Sequence, residues 1–60
     1  MKYSEFHRII RRNHWTEIRQ EGSHVIYSKK GCPNVSVPYH GSKEIPEPLR
    51  RKIAKEMGLL

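Results

Sequence analysis

The chain has one cysteine among its 60 residues, Cys32. One thiol cannot close an internal disulfide, so no covalent staple supports the fold, and a reducing cytoplasm is the expected compartment. Cys32 sits in Lys30-Gly31-Cys32-Pro33-Asn34, a stretch of turn composition, and reads as an inert loop thiol rather than a nucleophile. No apolar run approaches the roughly 20 residues needed to span a bilayer. The N-terminus lacks the apolar stretch of a secretory leader. No two His or Cys residues show the close spacing of a structural zinc site, so neither a metal nor another cofactor is expected. Length is scarce as well. A domain of this size buries only about 60% of the surface its unfolded chain exposes. It has no room for a deep substrate cavity, so any active site is shallow and built on the surface.

Acidic residues are few. Lys and Arg number 12 against 6 acidic residues, a formal net charge of +6. A solvated basic surface would account for part of this. The excess is large for so short a chain, however, and favours a nucleic acid or an acidic protein as partner.

The pattern predicts one domain over residues 1–60, with the order helix, three strands, helix. Phe6, Ile9 and Ile10 form an apolar stripe at helical spacing, while Arg8, Arg11 and Arg12 fall largely on other faces. Ser4 is the expected N-cap, Glu5 suits the first turn, and Asn13 suits a left-handed helix end. From Trp15 to Arg19 polar residues alternate with β-formers, which predicts a short strand. Glu21-Gly22-Ser23 reads as a turn, and His24 to Ser28 is the clearest strand. Lys29 to Asn34 reads as a second turn and Val35 to Val37 as a third strand that Pro38 ends. Short connections make this an antiparallel meander. Pro48 is expected as the first residue of a second helix, with Leu49, Ile53 and Met57 on its apolar face and Gly58 as its C-cap. Leu59 and Leu60 are expected to fold back onto the core. Two amphipathic helices can cover one face of the sheet. The sequence does not say whether that face carries His24 and Ile26 or Val25 and Tyr27.

Gly22-Ser23-His24 is the most suggestive point for chemistry. An imidazole moves protons near neutral pH without a metal. Taken alone, His24 reads at least as well as a strand residue that packs and hydrogen-bonds. Gly22 suits close approach of an RNA backbone, and Ser23 either contacts a phosphate or only shapes the turn. His40, after the third strand, is a candidate second acid or base, or a loop histidine that binds RNA or nothing. Tyr39 is a candidate for base stacking or a plug over the sheet end. Lys29, Lys30 and Lys43 are candidate phosphate contacts or a solvated face. His7 and His14 read as ordinary surface residues.

Asn13-His14-Trp15, Gly22-Ser23-His24, Val35-Ser36-Val37-Pro38-Tyr39-His40, Glu44-Ile45 and the closing helix from Pro48 to Leu59 occur in an order and spacing that resemble the HicA toxin family. Each motif is short, and their combination covers the whole chain. The resemblance implies an α+β fold like a double-stranded-RNA-binding domain: α-β-β-β-α, with two helices on one face of a three-stranded antiparallel sheet. It implies a metal-independent endoribonuclease that cleaves mRNA and arrests translation. It also implies a HicB-type antitoxin that neutralises the toxin in a hetero-oligomer, with no membrane partner. The family's catalytic histidine maps onto His24, and this turns the reading of that residue from packing to catalysis. The competing readings are a non-catalytic RNA-binding module and a protein-interaction domain. One departure stands out: the family often has Gly where this chain has His14, at a cost of about 1 kcal/mol if that residue must be left-handed.

Overall fold

The computed structural model describes residues 1–60, with α1 (Tyr3–Arg12), β1 (Thr16–Glu21), β2 (His24–Lys29), β3 (Cys32–Pro38) and α2 (Glu47–Glu56). The strands form one antiparallel sheet in the order β1-β2-β3. This is the α-β-β-β-α order expected from the sequence. Val25, Tyr27, Val35 and Val37 share a buried cluster with Tyr3, Phe6 and Ile10 of α1 and with Ile53, Ala54 and Met57 at α2. Both helices therefore cover the face that carries Val25 and Tyr27. Strand alternation leaves His24 and Ile26 on the opposite face. No helix is long and apolar enough to cross a membrane.

Both ends of α1 differ from the expectation. Its buried stripe is Tyr3, Phe6, His7 and Ile10, and Ile9 is only half-buried. Ser4 lies inside the helix rather than capping it. The Lys2 backbone N–H donates to Glu5 Oε1 at 2.9 Å. The N–H groups of Tyr3 and Ser4 donate to the carbonyls of Lys43 and Gly41, each at 3.0 Å. Loop carbonyls from far along the chain thus satisfy first-turn donors that a local cap would otherwise serve. At the other end Asn13 has φ −94°, and its side-chain Nδ2 donates to the Ile9 carbonyl at 2.8 Å. His14 takes the left-handed conformation instead, with φ +72°. It is the one non-glycine residue with positive φ.

The strands run longer than their composition predicts. Trp15 precedes β1, which continues to Glu21, and a register shift between Glu17 and Arg19 leaves Ile18 as the extra residue. The bulge explains why Ile18, the apolar residue of this strand, is exposed. Glu21 pairs with His24, so the first turn is the two-residue loop Gly22-Ser23. Positive φ (+60°) at Gly22 and not at Ser23 is the type II′ pattern. β3 begins at Cys32, which shortens the second turn to Lys30-Gly31. Pro33 is tolerated there because β3 is an edge strand.

α2 starts at Glu47, one residue before Pro48. It ends in a Schellman pattern: Gly58 N–H donates to the Lys55 carbonyl and Leu59 N–H to the Ala54 carbonyl. Leu59 packs on the core, whereas Leu60 is exposed. Ile45 is buried although its surroundings read as loop.

Replacing His14 by Gly should relieve the left-handed strain and stabilise the fold by about 0.5–1 kcal/mol after the added unfolded-state entropy. Thermal unfolding checks this, since each kcal/mol raises Tm by roughly 4–8 °C in a domain of this size. An unchanged or lower Tm would contradict it.

Candidate functional site

His24 is the first residue of β2 and is exposed. It faces Glu21 on β1 and Pro38 on β3 in register. Two hydrogen bonds from outside the ladder steady the turn before it. Gln20 Nε2 donates to the Gly22 carbonyl at 3.1 Å. The Tyr39 N–H donates to the Ser23 carbonyl at 2.6 Å. Beside His24, Arg19 Nε forms an ion pair with Glu21. Arg19 lies in register with Ile26, so it stands diagonally across the same sheet face from His24. The sequence reading overlooked this pair. With Gly22-Ser23 as the whole loop, Glu21 sits opposite His24 and Arg19, two residues back, falls on the same face; reading Glu21 as part of the turn hides this register.

The other sequence-predicted residues fall into separate places. Gly22 and Ser23 form the turn itself, and a Cβ built on Gly22 meets nothing within 4 Å. Tyr39 is half-buried, its ring centroid 4.9 Å from that of His7 in an edge-on contact. His40 lies beyond β3 and sets its ring edge-on to Tyr3 of α1 at 5.0 Å. No hydrogen bond or ring contact joins His40 to His24. Lys43 is exposed in the loop whose carbonyl caps α1. Lys29 holds its ammonium 5.8 Å from the centre of the Trp15 ring. Lys29 and Lys30 lie at the far end of β2, roughly 17 Å along the strand from His24. No three His, Cys or Glu side chains gather as metal ligands.

His7 is not a surface residue. It is 1% exposed, the one buried residue of polar type. The reason is its place at i+4 from Tyr3 and i−3 from Ile10, on the face α1 turns to the sheet. Its Nε2 lies 2.8 Å from the Pro38 carbonyl and its Nδ1 2.6 Å from the Tyr27 hydroxyl. A carbonyl only accepts, so Nε2 carries the hydrogen and donates. In the neutral ring Nδ1 then accepts, and Tyr27 is its donor. Burial holds the imidazole below its ordinary value of 6.5, with the Arg11 charge acting the same way and the Pro38 bond opposing. The same burial pushes the Tyr27 hydroxyl above 10.0. A cleft of about 250 Å³ opens over His7 between α1 and β1, lined in part by Arg8, Arg11, Glu17 and Tyr39. It lies on the helix side of the sheet, away from the face that carries His24.

The family description "HicA toxin of bacterial toxin-antitoxin" matches residues 3–59. The chain belongs to the HicA toxin family. This HicA-family chain is 42% identical over 59 residues to a Pseudomonas fluorescens (strain Pf0-1) protein named "Probable mRNA interferase HicA", covering 98% of this chain and 97% of that one. It is 39% identical over 59 residues to "Probable mRNA interferase HicA 2" of Photorhabdus laumondii subsp. laumondii, covering 98% of each chain. No solved structure matches it significantly.

The lowered His7 pKa fixes the sign of one pH effect. Below pH 6.5 the unfolded chain binds a proton that folded His7 resists, so the contribution of His7 to stability is complete above 6.5 and is lost progressively as pH falls from there through the lower folded value. Urea unfolding of wild type and His7→Gln should show a stability difference that narrows as pH falls from 7.5 to 5. A pH-independent difference would contradict the assignment.

Proposed function

We propose that this HicA-family chain is an endoribonuclease toxin that cleaves mRNA with His24 as its proton-transfer residue. The observation that carries the reading is an exposed imidazole on the uncovered sheet face, fixed by a braced turn, with the Arg19–Glu21 pair beside it. The family membership and the names of the relatives support the reaction class. The geometry supports the choice of residue.

RNA carries its own nucleophile, the ribose 2′-hydroxyl. A base removes its proton, the oxygen attacks the adjacent phosphorus, and the bond to the 5′-oxygen breaks. An acid then protonates that leaving oxygen. His24 serves as base or acid in this scheme, and such help is worth roughly 10²–10⁴-fold. Arg19 supplies a guanidinium for the charge that develops on the phosphoryl oxygens. The scheme requires no metal. His40 is the candidate second acid or base. Its ring rests on Tyr3 of α1. The open space at Gly22 suits the approach of the RNA backbone at the hairpin tip, where Ser23 can donate to a phosphate. Tyr39 offers its half-buried ring for stacking, Lys43 an exposed cation in the following loop, and Lys29 and Lys30 cations at the far end of β2. The partner is a HicB-type antitoxin in the cytoplasm, joined with the toxin in a hetero-oligomer. It inhibits most simply by covering the His24 face.

Cleavage of RNA in EDTA by wild type and by His24→Ala, with folding checked by circular dichroism, tests the proposal. The folded variant should lose activity by roughly 10²–10⁴-fold while still binding RNA. Full cleavage by the variant would remove His24 from the mechanism. If both proteins bind RNA and neither cuts it, the chain is a binding module.

A further inference from the structure

The Pro38–Tyr39 peptide unit is held from both sides. Its carbonyl accepts from His7 Nε2 at 2.8 Å, and its N–H donates to the Ser23 carbonyl at 2.6 Å. Ser23 immediately precedes His24, and Pro38 is the residue opposite His24 on β3. A continuous chain of hydrogen bonds therefore runs from the Tyr27 hydroxyl through His7 and this peptide to the backbone of the His24 turn.

The direction of every link is forced. The Ser23 and Pro38 carbonyls can only accept, and the Tyr39 N–H can only donate. His7 must then be the Nε2–H tautomer while neutral, and Tyr27 must donate to Nδ1. Aligned donors polarise one another, so the links reinforce along the chain. Packing alone gives no reason for an imidazole at this position. Phe6 and Ile10 beside it are apolar, and an apolar side chain there would carry no desolvation penalty. Every buried side-chain polar atom has a partner, so the network is complete. No covalent bond is available to fix the end of β3, because the sole cysteine is free and exposed at the other end of that strand.

We propose that His7 is a positioning residue for His24: through the Pro38–Tyr39 peptide it fixes where the Ser23-His24 backbone lies, and so where the His24 imidazole meets RNA. This rests on the reading of His24 as the proton-transfer residue.

Two substitutions separate positioning from packing. Gln carries an amide N–H to about the place of Nε2, whereas Asn reaches only the place of Nδ1. Both remove the ring, and Asn is one methylene shorter than Gln, so the comparison is made after correction for global stability. In His7→Asn the Tyr39 amide should exchange with solvent about tenfold faster than in His7→Gln, after correction for global stability. The kcat for RNA cleavage should fall about tenfold in His7→Asn at unchanged KM, and His7→Gln should restore most of it. Equal Tyr39 exchange and equal kcat in the two variants would overturn the proposal, as would faster exchange with unchanged kcat. Wild type alone gives a further check that needs no variant to fold: the ¹⁵N spectrum must show His7 as the Nε2–H tautomer, and an Nδ1–H ring would refute the chain of bonds. His24→Ala in the same assay keeps the two claims apart. If that protein cleaves RNA normally the catalytic reading fails, and the Tyr39 amide still reports whether His7 holds the turn.

Discussion

One peptide unit, Pro38–Tyr39, ties together the three parts of this fold that matter for its chemistry. His7 of α1 grips its carbonyl, the β1–β2 turn accepts its N–H, and β3 runs into it. Without this junction the hairpin tip is an exposed two-residue loop at the end of a small sheet, free to fray. With it, the first residue of β2 inherits the rigidity of the core. The position of His24 thus depends on a buried side chain on the opposite face of the sheet.

The same economy appears elsewhere. A chain this short, with no disulfide, closes its structure through a few long-range polar contacts around twelve clustered core residues. The loop after β3 lends its carbonyls to the first turn of α1, and the Ile45 N–H returns a bond to the Met1 carbonyl at 2.9 Å. Trp15 Nε1 donates to the Met57 carbonyl at 3.2 Å, pinning the end of α2 to the start of β1. All of these contacts lie on the helix-covered side or at its margins. The other face stays free for a ligand, and its polar pair, Arg19 and Glu21, is exposed.

Much of this was legible in the sequence because it depends on local patterns. The run of β-branched and aromatic residues in His24 to Ser28, glycine at Gly22, Gly31 and Gly58, and the helical spacing of Leu49, Ile53 and Met57 each follow from near neighbours. The misreadings share one cause: their partners are distant in the chain. Ser4 looked like a cap because nothing nearby reveals that Lys43 and Gly41 take that role. His7 looked like surface because its polarity was weighed without Tyr27 and Pro38, although its spacing from Tyr3 and Ile10 placed it on the buried stripe. Asn13 was the better candidate by propensity for a left-handed residue, yet the chain places His14 there, one step before Trp15 enters the core. The Arg19–Glu21 pair beside His24 follows from the two-residue loop, which the reading of Glu21 as part of the turn concealed. The separation of His40 from His24 could not be read from the sequence, since it depends on where the chain goes after Pro38.

Cleavage through the 2′-hydroxyl leaves a chemical signature that direct attack of water on the phosphorus does not. The most direct test is therefore analysis of the ends of RNA fragments produced by the wild-type protein, alongside a substrate with one 2′-deoxy nucleotide at the cleavage position. The mechanism predicts a 2′,3′-cyclic phosphate on one fragment, a free 5′-hydroxyl on the other, and resistance of the deoxy substrate. A 5′-phosphate with a 3′-hydroxyl, or normal cleavage of the deoxy substrate, would contradict it.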